Sequence, residues 1–203
     1  MTVVETLLVY AGLSSLFFFL TIYLQQVAGY SALESGLVGL PVTVLLILLS
    51  RRVGALSMRL GPRLFMGAGP LIAAAGVLLL VRVGEDVAFV RDLLAPMFLF
   101  GVGLALTVAP LTATVMSDSR RGDSGIASGV NNAVARVAAL LGIAAVGVAV
   151  AARSGTELDL DGFRIGMAVT AALVAAGGVV GLVGIRNPAR VAPPEPPVVS
   201  SPR

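Results

Sequence analysis

Long runs of Leu, Val, Ala, Ile and Phe recur six times along the chain, each closed by a short polar or glycine-rich break. They lie near residues 6–28, 33–50, 64–83, 92–116, 125–151 and 163–185. A bilayer core about 30 Å thick is crossed by roughly 20 apolar residues of helix, each rising about 1.5 Å. Every run meets that length, so the pattern predicts six transmembrane helices. Inside lipid a spanning segment must satisfy its own backbone, and nothing here has the alternation of a transmembrane barrel. The expected fold class is therefore an all-α membrane protein. Residues 1–185 form the six-helix unit, followed by a proline-rich tail, 186–203, with too few apolar residues to pack.

The arginines orient the helices, because short loops rich in Arg stay cytoplasmic. The connection after the second span holds Arg51, Arg52, Arg59 and Arg63; the fourth is followed by Arg120 and Arg121; the tail adds Arg186, Arg190 and Arg203. The alternate connections hold Arg82, Arg91, Arg153 and Arg164 together with Glu34, Glu85, Asp86, Asp92, Glu157, Asp159 and Asp161. The bias puts both termini in the cytoplasm, in agreement with an even number of spans. The expected location is a bacterial inner membrane, crossed many times.

Composition narrows the chemistry. Hydrophobic residues make up 57% of the 203 and charged ones 12%, against roughly 25% in a soluble domain; the mean hydropathy is +0.99. There is no Cys and no His, which removes disulfides, thiolate nucleophiles, imidazole bases and the usual zinc or haem ligands. No metal and no cofactor are expected. The small-residue run from Ser124 to Gly129 has no His to activate a serine and reads as helix-packing material. All 14 basic residues are Arg, but they sit between apolar runs and form no stripe, so no nucleic-acid partner is expected.

Between the second and third spans the sequence reads Gly54-Ala55-Leu56-Ser57-Met58-Arg59-Leu60-Gly61-Pro62-Arg63. This resembles the major facilitator superfamily loop motif, Gly-x-x-x-Asp-Arg-x-Gly-x-Arg, found between the second and third helices of a six-helix half. Three further segments sharpen the likeness: Tyr23 to Ser31 closing the first span, Ala109-Pro110-Leu111-Thr112 in the fourth, and Ala127 to Asn132 in the fifth. Together they are similar to the C-terminal half of the fourteen-helix drug:proton antiporters, over residues from about 6 to 185. Met58 replaces the acid of the motif, which puts a charge relay through that position in doubt. Gly61 permits backbone angles barred to other residues, and Arg59 and Arg63 are suited to bonding the last carbonyls of neighbouring helices.

The resemblance implies two three-helix repeats of inverted topology, a cavity lined by spans one, two, four and five, and spans three and six on the lipid side. It also implies a partner: an N-terminal half, from the same gene or a separate chain, or a second copy. The bilayer and a small-molecule substrate complete the expected partners. A chain of half the usual helix number reads most simply as a fragment or one part of a split exporter.

Polar residues inside the spans mark the candidate site. Ser128, Asn132 and Arg136 recur at four-residue spacing on one helix face, and an arginine near a helix centre costs about 2.5–3.5 kcal/mol on insertion scales. Arg136, with Asn132 and Asn131, is a candidate to hold an anionic group of the substrate or an acid elsewhere in the transporter; snorkelling to the surface is the plain alternative. Gln25 and Gln26, with Tyr23, either offer hydrogen bonds to substrate or to the outer gate, or mark the membrane interface. Thr107 and Thr112 flank Pro110, a candidate hinge, and could equally bond their own backbone. Apart from Glu34 and Asp92 at the very ends of two runs, no Asp or Glu lies within the six spans as drawn, so a proton-carrying carboxylate must come from elsewhere. These features predict proton-coupled export by alternating access; the alternative is a non-transporting subunit or a degenerate remnant of an exporter. An enzyme would need clustered catalytic side chains within the spans, and a lone arginine among amides is a poor set.

Overall fold

In a computed structural model, residues 2–118, 124–154 and 158–184 are described, and they are helical almost throughout. The helices are α1 (Thr2–Gln26), α2 (Ala32–Leu37), α3 (Leu40–Leu60), α4 (Pro62–Leu79), α5 (Leu94–Asp118), α6 (Ser124–Ser154) and α7 (Leu160–Gly184). They supply six membrane-length apolar spans, the second built from α2 and α3 together.

Local chemistry draws the boundaries. Ser31 and Glu34 form a reciprocal capping box that starts α2, the serine hydroxyl accepting from the Glu34 amide at 3.2 Å while the carboxylate accepts from the Ser31 amide at 2.8 Å. Pro41 and Pro62 stand in the first turns of α3 and α4, where a missing N–H leaves no bond unmade. A π-helical turn, Phe89–Leu93, leads into α5, and Asp92 accepts from the Ala88 amide at 2.8 Å to close it.

Two expected boundaries change. The second span does not end near residue 50: α3 continues through Arg51 and Arg52 to Leu60. Arginine is a good helix former and does not stop a helix, so the connection to α4 shrinks to Gly61 alone. The first span starts earlier than residue 6, because α1 begins at Thr2 and its apolar stretch at Val4. The tail, 186–203, lies outside the described residues.

The helices pack as an arc in the order α3, α5, α4, α7, α1, α6. Exchanging spans one, two and three for four, five and six leaves this order of neighbours unchanged: α1 on α7 answers α5 on α4, and α1 on α6 answers α5 on α3. Spans related in this way run in opposite directions, so the arc is a 3+3 inverted repeat about the α4–α7 contact. Small residues set the approach. A Cβ on Gly76 would lie 2.6 Å from the Phe100 amide nitrogen, and one on Gly142 would lie 2.6 Å from the Ala11 backbone. In lipid, where apolar side chains gain little by leaving the tails, such contact is what holds helices together.

Candidate functional site

At one end of the bundle the motif residues form a clasp. Gly61 has φ 90° and ψ 144°, a conformation essentially confined to glycine, and its amide bonds back to Ser57 O at 2.9 Å. The reversal delivers Arg63 to the last turn of α7, where its Nε donates to Leu182 O at 2.7 Å. The terminal carbonyls of a helix lack partners within it, and a cation there also meets the negative end of its dipole. Arg63 thereby ties α4 to α7 across the axis of the repeat. Gly54 faces open space: a Cβ at that position would meet no neighbouring atom within 4 Å. The side chains of Met58 and Arg59 lie outside the described residues.

At the opposite end, three side chains hold the connection between α4 and α5. Tyr23 donates its hydroxyl to Gly84 O at 2.7 Å, Tyr30 donates to Val87 O at 3.0 Å, and Arg164 reaches Val83 O at 3.4 Å. The Tyr23 ring is fully buried and stacks on Phe163 of α7 with centroids 4.0 Å apart. Tyr23 is therefore a core clamp between α1, α7 and this loop, and not a partner of Gln25 and Gln26 at a gate. The two glutamines are exposed at the end of α1.

On α6, Asn132 and Arg136 are exposed, one helical turn apart, while Ala138, Val146 and Val150 are buried on the side turned to the bundle. The structure thus puts both polar side chains on the open face at one end of the arc. Among the described residues Arg136 enters neither ion pair of the fold, which join Arg91 to Asp92 and Arg164 to Asp161. The side chains of Ser128 and Asn131 fall outside the described residues, as do those of Pro110 and Thr112 on α5.

Two further polar groups are enclosed by the packing. Thr107 is 1% exposed, donates to Gly103 O at 2.8 Å and packs against Gly69 of α4. Its hydroxyl bonds its own helix within the α4–α5 contact, the second of the two readings given for it. The other group is an acid: Glu5 lies inside the first span and is 0% exposed. Its Oε1 sits 3.1 Å from the position a Cβ would take on Gly181 of α7, beside the Met66 carbonyl of α4. Among the described residues neither carboxyl oxygen has a hydrogen-bond partner. Sequence reasoning missed it because the first span was drawn from residue 6, which left Glu5 outside it.

Six apolar spans in a symmetric 3+3 arc, with a basic glycine turn clasping the two central helices, define a multi-pass membrane protein. The chain belongs to the Major Facilitator Superfamily, whose family model matches residues 3–143. It is 34% identical over 128 residues to the cephamycin export protein CmcT of Amycolatopsis lactamdurans, covering 63% of this chain and 26% of that protein. Over 136 residues it is 33% identical to the puromycin resistance protein pur8 of Streptomyces alboniger, 66% of this chain and 27% of the relative. The tetracenomycin C resistance and export protein of Streptomyces glaucescens is 32% identical over 154 residues, 76% of this chain and 28% of the relative. The matched region is thus just over a quarter of each of these proteins.

Proposed function

We propose that this chain supplies the C-terminal half of a proton-coupled exporter of small molecules, working by alternating access in a bacterial inner membrane with both termini in the cytoplasm. The observation that carries the reading is the open arc. In their most apolar stretches the spans of α3 and α6 are 22% buried, against 44% or more for the other four. A symmetric arc with two uncovered ends is suited to closing against a second arc of the same kind, so that a cavity forms between them. Asn132 and Arg136 lie on one of those ends. The relatives' names, as export and resistance proteins, favour antibiotics or similar compounds as substrates.

The alternative, a non-transporting subunit or remnant, is favoured by Met58, which stands where the motif carries its acid. The two readings separate in a drug-hypersensitive bacterium expressing the chain alone, or with an N-terminal half encoded upstream. Export predicts resistance to some member of an antibiotic panel in the paired strain. In that strain Arg136→Ala should abolish resistance while membrane levels of the protein stay unchanged. Full resistance in the Arg136→Ala strain would remove Arg136 from the site, and a paired strain as sensitive as the control would remove export.

A further inference from the structure

We propose that Glu5 is a proton-binding site: its carboxyl holds a proton while α1 is packed against α7, and releases it only when that packing opens to water. Both oxygens are buried and, among the described residues, without a hydrogen-bond partner, in a span that lies in lipid. An ionised carboxylate in such surroundings is far costlier than a neutral carboxyl, unless a cation or several donors meet it.

Among the described residues no cation is committed to it. On α4, the charged residue of the adjoining turn is Arg63, whose Nε is engaged by Leu182 O. On α7, the titratable residues are Asp161 and Arg164, at the other end of the helix. On α6, Arg136 is exposed, and on α1 itself the nearest titratable side chain is Tyr10, packed against Met66.

The position gives the proton a mechanical consequence. Glu5 touches α7 at Gly181, one residue from the carbonyl that Arg63 grips. Carboxyl and guanidinium thus meet the same turn of α7 from α1 and from α4, the guanidinium alone with a hydrogen bond. Loss of the proton would place a charge in this three-helix contact, and the ion would gain only by drawing in water or Arg63. Either change loosens α7 from α1 or from α4. By the arginine bias this is the cytoplasmic end of the bundle, where a proton carried inward would leave. The proton site itself rests only on the chain's place in lipid, while its use in transport rests on the export reading above.

The test is infrared spectroscopy of the full chain reconstituted in lipid vesicles at neutral pH, where water-exposed carboxyls are ionised. A protonated-carboxyl stretching band is expected, absent from Glu5→Gln. Where that variant fails to insert, a lipid-soluble carbodiimide, which reacts with protonated carboxyls, assigns the band by the mass of the labelled peptide. Absence of the band in the wild-type chain overturns the proposal, as does its persistence in Glu5→Gln or a label on another acid. A band at Glu5 in a chain that, paired with its other half, moves no drug would sink the export reading and leave the proton site standing.

Discussion

Tyr23 illustrates how a side chain's role depends on what the fold brings to it. In the sequence it is an aromatic residue close to a span end, the usual mark of the membrane interface. In the fold its hydroxyl meets a carbonyl 61 residues away and its ring meets Phe163 on the last helix. Neither neighbour is visible in a local pattern. Tyr23→Phe should keep the stacking and lose the hydrogen bond, at a cost of about 1 kcal/mol. For a chain of this size that lowers the unfolding midpoint by roughly 2–4 °C, checked by thermal unfolding in detergent. Tyr23→Ala should cost about 3–5 kcal/mol by emptying the core between α1 and α7. Arg136 contrasts with it, since an arginine in an apolar run stands out in the sequence without help from any neighbour.

Among the elements, glycines and the clasp decide which helices touch. A Cβ at Gly76 would meet the Phe100 nitrogen at 2.6 Å and the Pro96 oxygen at 2.8 Å. Backbone atoms cannot swing aside as a side chain would. Gly76→Val should therefore destabilise the α4–α5 pair by about 1–3 kcal/mol or more, read as a lower midpoint and as faster proteolysis. The clasp is a smaller term, because the Arg63 side chain is exposed. Its removal in Arg63→Ala should cost about 1 kcal/mol, and Arg63→Lys should recover part of that by keeping the charge beside the α7 terminus. Cross-linking between cysteines on α4 and α7 would report the loosening directly. The motif spacing predicted the turn and the reach of Arg63 towards a helix end. Only packing decided that the helix was α7.

For the whole molecule, the arc order follows from two interlocked triplets, and its open ends at α3 and α6 are where a second half is proposed to close. Orientation is a separate matter, set by the charge on the connections. The loop held by Tyr23, Tyr30 and Arg164 belongs to the acidic set. An impermeant thiol reagent should therefore label Glu85→Cys from outside intact cells, in a chain with no competing cysteine. Labelling only after the membrane is broken would invert the topology and move Glu5 to the outer face.

Span number, the basic turn and the family likeness were readable from residue order, because lipid admits few solutions for an apolar run and each is a matter of length. The loop motif and Arg136 were readable for the same reason, as departures from a uniform background. The burial of Tyr23, Thr107 and Glu5 was not. A helix that is apolar all round gives no sign of which side meets a neighbour, so only the packing of α1, α4, α5 and α7 decided which polar groups were enclosed. That is why an acid four residues from the chain start became a group fully buried between three helices.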